Sequence, residues 1–314
     1  MRFDLVLRCM MLVLTLSVLP VSAQESNKDC PPPLQVSSEQ VEQLARSQQP
    51  DRGPLWELSK DGRRSYLYGT VHVAKLEWDI PGPVVRRALI ASRVLLVELD
   101  VTQPEIGQQM IAPMPDQAVE TDSAHYRALA WRVSKQFHKA CLNEAGFGEA
   151  SLSSKLNSLI LLSARDAGLY PDLGIDLAIT GFVKHFKKPV VALETVEEQR
   201  VLISRSTLNE LEQNMKELES GEAKKNLERF TALWSAGSVA EMERFCAAKD
   251  CFGDASAALE RNTWLAQRIA ERMQSDDGVF AAIGFLHLVG PGNVLQQLRA
   301  KGFKVRQLTA LSRR

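Results

Sequence analysis

The feature that most constrains the fold is a strand–helix–strand pattern at the end of the chain. Gly278 to Gly284 reads GVFAAIG, an apolar run that predicts a buried strand. Asn293 to Lys301 predicts a helix that stops at Gly302, and Lys304 to Leu308 predicts a final strand. A connection of this length joins two parallel strands through a right-handed crossover. The chain therefore ends in a unit that needs a sheet to complete it.

Further strands are predicted upstream. Leu55 to Leu58 and Ser65 to Tyr68 alternate between apolar and polar residues on either side of the turn Asp61-Gly62, which predicts a β-hairpin. Val94 to Leu99 and Pro189 to Leu193 are short apolar runs, typical of strands that are buried on both faces.

The rest of the chain has the periodicity of helices. The predicted helical regions are Pro83 to Ser92, Thr102 to about Gly174, Leu177 to Phe186, Val196 to Lys249 and Arg261 to Gln274. Because strands lie near both ends and helices between them, we expect an α/β fold with a central mixed β-sheet. Its strands come from the N- and C-terminal parts of the chain, and a large helical insertion covers it. We expect this single domain to extend over residues 51–310.

The first residues have the pattern of a cleaved signal peptide over residues 1–23. Arg2 and Arg8 form a positive flank, Cys9 to Pro20 is apolar, and Val21-Ser22-Ala23 supplies small residues before a cleavage site. An uncleaved membrane anchor is the alternative, but the apolar stretch is too short to span comfortably the ~30 Å hydrocarbon core of a membrane.

Residues 24–50 are polar and Pro-rich, and predict an N-terminal segment with one short helix. We expect the protein to be exported, to the periplasm or outside the cell. No later stretch has ~18 uninterrupted apolar residues, so we expect no integral membrane segment after signal cleavage.

The charge balance argues against a nucleic-acid partner. The chain has 38 basic and 38 acidic residues, and removing Arg2, Arg8 and Asp4 leaves 36 and 37. A nucleic-acid binder normally has a basic excess. We expect a peptide or small-molecule substrate instead.

After signal removal four cysteines remain, an even number that suits disulfide formation in an oxidising compartment. Cys246 and Cys251 are close enough in sequence to close a small loop. We therefore favour Cys246–Cys251 with Cys30–Cys141, although the sequence allows two other pairings. A zinc site formed by these cysteines is disfavoured, because neither the local spacing nor neighbouring histidines suggest one.

Two Gly-x-x-His elements follow predicted strands, Gly69 to His72 and Gly284 to His287. A third strand end, at Val94 to Val97, leads into Glu98. In an open α/β sheet, ligands bind outside the carboxyl ends of the strands. We expect each glycine to let the backbone turn sharply there, so that the histidine faces the crevice. Two imidazoles and a carboxylate could hold a divalent metal, or act as a general base with its orienting acid.

A single histidine near a strand end is more often structural than functional, and the repeated spacing is what favours a site. The other three histidines have polar surroundings in the sequence. We predict that these three, His125, His138 and His185, lie at the surface.

Five motifs, in this order, resemble the TraB/GumN/Tiki family over roughly residues 50–310, and the bacterial GumN-like branch most of all. The motifs are Tyr68-Gly69-Thr70-Val71-His72, Val97-Glu98-Leu99-Asp100, Val191-Ala192-Leu193-Glu194-Thr195 with Gln199, Arg261-Asn262, and Ile283-Gly284-Phe285-Leu286-His287-Leu288. The Tiki members are metalloproteases without an HExxH motif, so the resemblance implies a metal-dependent hydrolase.

By this resemblance His72 and His287 are metal ligands, and Glu98 is a ligand or the catalytic base. Zinc, manganese and cobalt all suit such a ligand set. The resemblance also assigns a catalytic or supporting role to Glu194, Arg261 and Asn262. For Glu194 the alternative is a carboxylate that caps the following helix. For Arg261 the alternative is a salt bridge in the core.

Three functions stay open at this point. The first is a metal-dependent hydrolase, peptidase-like in its substrates. The second is a metal-free hydrolase in which His72 or His287 activates water and Glu98 orients it, as in erythromycin esterase-like chemistry. The third is a non-catalytic periplasmic binding or accessory protein of envelope polysaccharide assembly.

Overall fold

The computed structural model describes residues 30, 33–252, 255–276 and 278–309. The predicted signal peptide lies outside these residues, as does the beginning of the segment predicted over 24–50. The short helix expected in that segment is α1, Ser38–Arg46, which is capped by Ser37. No described helix is both long and apolar enough to cross a membrane.

A six-stranded mixed sheet forms the centre of the molecule, which confirms the predicted α/β fold. Its strands are β1 (Leu55–Lys60), β2 (Arg63–Thr70), β3 (Val94–Val97), β4 (Val190–Ala192), β5 (Val279–Gly284) and β6 (Lys304–Gln307). The strand order is β4-β3-β5-β2-β1-β6. The four strands from β4 to β2 are parallel, whereas β1 is antiparallel to both of its neighbours.

The hairpin separates the two C-terminal strands. β6 is antiparallel to β1 and β1 is antiparallel to β2, so β6 runs in the same direction as β5, as the crossover pattern predicted. β1 and β2 lie between them in the sheet. Asp61 and Gly62 both have a positive φ, of 50° and 77°. Two consecutive left-handed residues match the right-handed twist of the flanking strands, which explains this tight turn.

Twelve α-helices are found in the described residues. After α1 they are α2 (Pro83–Ala91), α3 (Pro104–Met110), α4 (Ala124–Lys139), α5 (Leu152–Leu162), α6 (Ile175–His185), α7 (Val196–Ser204), α8 (Leu208–Ser220), α9 (Glu222–Ser235), α10 (Val239–Lys249), α11 (Ala255–Ser275) and α12 (Val294–Ala300). Nine of them, α3 to α11, lie between β3 and β5 in sequence and form the predicted helical insertion around β4.

The insertion contributes to three separate cores, the smallest of which contains Val73, Ala164 and Leu169. The main core contains the sheet strands with buried residues of α6 and α11, such as Ile179 and Ile269. A second core lies among α4, α5 and α8, where Phe137, Leu156 and Met215 are almost fully buried. The insertion therefore covers the sheet with some helices and packs others against each other.

One strand differs from its prediction. Val190 and Val191 in β4 are only partly buried and Ala192 is exposed. The reason is its place in the sheet: β4 is an edge strand and has β3 as its single neighbour. Apolar composition predicted burial on both faces, but it does not reveal which strand lies at an edge.

The cysteines are arranged as the favoured pairing predicted. Cys30 and Cys141 form one disulfide with a Cα–Cα distance of 5.7 Å, and Cys246 and Cys251 form another with a Cα–Cα distance of 4.8 Å. Disulfides are typical of oxidising compartments, which agrees with the prediction of export.

Candidate functional site

Three strand ends meet at one edge of the sheet. β5 pairs in parallel with β3 on one side and with β2 on the other. Parallel neighbours have their carboxyl ends at the same edge, where ligands bind in open α/β sheets. The residues that follow these ends are His72, Glu98 and His287.

The two glycines of the Gly-x-x-His elements provide space rather than a sharp turn. Neither Gly69 nor Gly284 has a positive φ, so the expected conformational reason is wrong. A Cβ atom on Gly284 would lie 3.2 Å from Oε1 of Glu98. A Cβ atom on Gly69 would lie 3.1 Å from the side chains of Phe285 and Pro54. At both positions, side chains approach the backbone more closely than a larger residue allows.

Glu98 is buried and both of its oxygens accept hydrogen bonds. The backbone N–H of Gly284 donates to Oε1 over 2.7 Å. Arg261 Nη2 and Gln199 Nε2 donate to Oε2 over 3.0 and 3.3 Å. Carboxylate oxygens have about two acceptor positions each, so Oε1 keeps one lone pair that no described group uses.

The surroundings of Glu98 keep it ionised. Burial by itself raises the pKa of this carboxyl group, but His287, Arg261, His72 and the Gly284 N–H outweigh burial and lower the pKa to about 2. Glu98 is therefore a carboxylate throughout the physiological range.

Arg261 joins Glu98 to a second buried carboxylate. Its Nε and Nη2 atoms donate to the two oxygens of Glu194 over 2.8 and 2.6 Å. The Glu194 side chain is fully buried, and Gln199 also donates to it over 3.0 Å. Thr195, not Glu194, caps the following helix. The capping alternative for Glu194 is therefore wrong, and its partner is the guanidinium.

Asn262 fixes the ring of His287. Asn262 Oδ1 lies 2.7 Å from Nδ1 of His287, while its Nδ2 donates to the carbonyl oxygen of Gly292. The amide oxygen can only accept, so Nδ1 of His287 carries the hydrogen and Nε2 has a free lone pair. That Nε2 lies 3.7 Å from Oε1 of Glu98, which is too long for a hydrogen bond. Burial outweighs the attraction of Glu98 and lowers the pKa of His287 to about 4.

His72 has a different partner. Its Nδ1 lies 2.8 Å from Oδ2 of Asp176, and 60% of its side chain is exposed. The charge of Asp176 raises the pKa of His72 to about 9. The segments that contain His72 and Asp176 are also joined by a backbone hydrogen bond of 2.9 Å, which Ile175 N donates to the Val71 carbonyl oxygen.

Asp176 was missed at the sequence level. It lies in the first turn of α6, where an acidic residue is explained by the helix dipole alone. The sequence predicted a helix from Leu177, but nothing in it connected Asp176 with His72, which is 104 residues away.

A contiguous network contains five of the six predicted site residues: Glu98, Glu194, Arg261, Asn262 and His287. His72 is close enough to affect the pKa of Glu98, but its bond is to Asp176. Within residues 30, 33–252, 255–276 and 278–309, no group of three or more His, Cys, Asp or Glu residues is arranged to hold a metal ion.

The remaining histidines lie away from this network. His125 and His138 are exposed on α4, as predicted, and His125 approaches Glu212 at 3.5 Å. His185 is partly exposed at the end of α6 and its ring contacts Phe186.

Comparison with protein-family models identifies the chain. A model described as the TraB/PrgY/gumN family matches residues 54–307, which is most of the sequence. The chain belongs to the TraB/PrgY/gumN family. The match begins one residue before β1 and ends with the last residue of β6, so it contains every strand of the sheet.

For this TraB/PrgY/gumN family protein, comparison with curated proteins and with solved structures finds no match. The resemblance expected from the five motifs is confirmed for the family. Its assignment to the GumN-like branch stays a prediction.

Proposed function

We propose that this TraB/PrgY/gumN family protein is a divalent-metal-dependent hydrolase whose active site lies at the carboxyl ends of β2, β3 and β5. The observation that carries the proposal is the contact between His287 and Glu98. Two atoms with free lone pairs, Nε2 and Oε1, face each other at 3.7 Å.

Neither atom has a hydrogen to offer the other. Glu98 is ionised because its pKa is about 2, and His287 has its hydrogen on Nδ1. A buried acceptor that faces another acceptor loses free energy unless a proton or a cation lies between them. Two ligands at about 2.1 Å from a tetrahedral ion lie ~3.4 Å apart, which is close to the observed separation.

The chemistry of the donor atoms also fits a cation. The buried network contains two carboxylates, Glu98 and Glu194, and one guanidinium, Arg261, so its formal charge is −1. Both histidines bond through Nδ1 to an oxygen acceptor, the arrangement that orients metal-binding histidines. Nε2 of His287 has a free lone pair, whereas Nε2 of His72, whose pKa is about 9, would release a proton when it binds a metal ion. The described side chains do not form a three-ligand group. In this proposal His287 and Glu98 are two of the ligands, and His72 would complete the set.

A bound divalent ion would lower the pKa of a water molecule towards neutrality and polarise the bond to be cleaved. The protein residues prepare the site for it. Asn262 holds the ring of His287, and Asp176 holds that of His72. Arg261 fixes Oε2 of Glu98, which leaves the Oε1 lone pair as the position that can bind an ion or accept a proton. The resemblance to Tiki metalloproteases supports peptides as substrates.

A specific observation favours a second candidate, a metal-free hydrolase. The 2.8 Å contact between His72 and Asp176 has the form of a histidine oriented by a carboxylate. Its imidazole is more than half exposed, so water could reach Nε2. In this version the neutral form of His72 removes the proton from water, so activity should rise as the pH approaches the His72 pKa of about 9. The network around Glu98 has a supporting role.

Metal content and activity distinguish these functions. We expect protein purified without chelator to contain about one metal ion per chain by mass spectrometry, and the His72→Ala and His287→Ala variants to contain much less. His125→Ala, which changes an exposed histidine of α4, is the matched control. Negligible metal in wild type and variants alike, even after reconstitution with zinc, manganese or cobalt, would overturn the metal-dependent proposal.

The same proteins are then tested for peptide hydrolysis. Activity that survives exhaustive chelation but is lost in Asp176→Asn supports the metal-free candidate. If a His72→Ala/His287→Ala strain keeps the full envelope function of wild type, both hydrolase proposals fail and an accessory role is supported.

A further inference from the structure

A cavity lies at the opposite edge of the sheet from the candidate active site. It has a volume of about 400 Å³ and is lined by Arg63 at the start of β2, Val94 at the start of β3 and Pro189 just before β4. The end of α11 closes it with Ser275. β3 has four residues, so the two edges are about 13 Å apart along this strand.

The lining of this cavity is strongly basic. Among the described residues, three arginines, Arg63, Arg93 and Arg272, contribute to it, against one carboxylate, Asp276. The formal charge of this described part of the lining is therefore +2. Like charges that converge on one cavity repel each other, and the repulsion is removed when an anion lies between them.

The contacts within the protein leave some hydrogen-bonding atoms of the lining without a partner among the described residues. Arg272 Nη2 lies 2.8 Å from Asp276 Oδ2, but the two atoms are not in hydrogen-bond geometry. Arg272 Nε is buried and has no hydrogen-bond partner in the part of the chain that the structure describes. A buried N–H group without an acceptor costs about 1–3 kcal/mol, which an added acceptor would recover.

Arg93 adds an available guanidinium at the rim. Its side chain is exposed, while its backbone N–H donates to the carbonyl oxygen of Gly278. The backbone hydrogen bond fixes the position of this residue without involving its charge. A guanidinium presents parallel N–H donors that match two oxygens of a phosphate or carboxylate group.

We propose that this cavity binds a dianionic oxyanion, such as the phosphate of a small phosphorylated ligand. Two negative charges balance the described lining, and the oxygens of a phosphate group suit the guanidinium donors of Arg93 and Arg272. Arg63, which already donates to the carbonyl oxygen of Gln274, contributes its charge. The cavity is also many times larger than the ~30 Å³ that a water molecule occupies, so it has room for a ligand group. This proposal does not depend on hydrolysis at the other edge.

The test uses the full chain and inorganic phosphate as the probe, with calorimetry at constant ionic strength. We expect saturable binding of phosphate and sulfate, and much weaker binding of acetate, which has a single charge. Arg93→Gln should weaken phosphate binding at least tenfold, and the single variant Arg272→Gln should weaken it by a larger factor than Arg93→Gln. Arg87→Gln, an exposed arginine on α2 outside the cavity, is the matched control and should bind as wild type.

Arg93 is exposed, so its variant is expected to fold normally, and an unchanged thermal unfolding temperature verifies this. The proposal is overturned if phosphate shows no saturable binding, or if Arg93→Gln and Arg272→Gln both bind it as tightly as wild type. His287→Ala should bind phosphate normally, so a failure of the hydrolase proposal and a failure of this one are separate results.

Discussion

The amide oxygen of Asn262 accepts a hydrogen bond from Nδ1 of His287, which turns the unprotonated Nε2 of that ring towards Glu98. This contact relates a residue of α11 to the short 3-10 helix Phe285–Leu288 that follows β5. It decides which ring nitrogen is available to a ligand, and several consequences of the site depend on it.

Asn262→Ala removes this support. We expect metal affinity to fall about 10- to 100-fold, the usual effect of losing the group that orients a metal-binding histidine. Calorimetric titration with zinc, manganese and cobalt measures it. Asn226→Ala, which removes an amide that donates to Glu217 elsewhere, is the control. Wild-type affinity in Asn262→Ala would show that ring orientation does not matter.

Gly284→Ala tests the close approach of Glu98. The new Cβ would lie 3.2 Å from Oε1 of Glu98 and 3.6 Å from the His287 ring, so the carboxylate must shift by a few tenths of an ångström. We expect weakened metal binding with little loss of stability. In Gly107→Ala, on α3, the added Cβ meets nothing within 4 Å and metal binding should not change. Equal affinities in the two variants would contradict the assigned role of Gly284.

Arg261→Ala leaves Glu98 and Glu194 buried without their counter-charge. Removing one partner of a buried ion pair costs about 3–5 kcal/mol, and we expect the free energy of unfolding in urea to fall by this order. Arg268→Ala is the control on the same helix, because its ion pair with Glu198 is about one third exposed. Its effect should be about 1 kcal/mol or less. Comparable losses in both variants would argue against a charged triad in the core.

The two histidines give opposite pH dependences of stability. His287 has a folded-state pKa of about 4, so between about pH 6.5 and pH 4 the unfolded chain takes up a proton that the folded protein does not. Stability therefore falls as the pH falls through this window. His72 has a folded-state pKa of about 9, so its contribution is complete below about pH 6.5 and is lost as the pH rises towards 9.

Urea unfolding of metal-free protein between about pH 4 and pH 9 measures both effects. We expect Asp176→Asn to flatten the alkaline side of the profile, because it removes the charge that raises the pKa of His72. His287→Ala should flatten the acidic side. If neither variant changes the shape of the profile, these histidines do not titrate as described.

The two disulfides should differ in their effect on stability. Cys30–Cys141 joins residues 111 apart, whereas Cys246–Cys251 joins residues 5 apart. By loop entropy alone, removing the long loop by Cys30→Ser/Cys141→Ser costs about 5 kcal/mol, and removing the short loop costs about 2 kcal/mol. Urea unfolding of the two double variants compares them. A larger loss for the short loop would contradict the entropic explanation.

The sequence alone predicted the elements of the fold because their causes are local. The alternation around Asp61-Gly62 predicted the hairpin, and the apolar run before Gly284 predicted β5. The placement of strands near both ends predicted a sheet with a helical insertion. Motifs after three strands also predicted that His72, Glu98 and His287 lie at the same edge of the sheet, since parallel strands end at a common edge.

Tertiary structure decided the order of strands and the partners at the site. The hairpin between β5 and β6 and the edge position of β4 depend on how the whole sheet assembles. The contact between His72 and Asp176 joins residues 104 apart, and that between Arg261 and Glu98 joins residues 163 apart. Periodicity reports which face of an element is buried, but not which distant element covers it. The chemistry of each side chain was therefore determined by the sequence, and its charge state and orientation were determined by neighbours that only folding brings into contact.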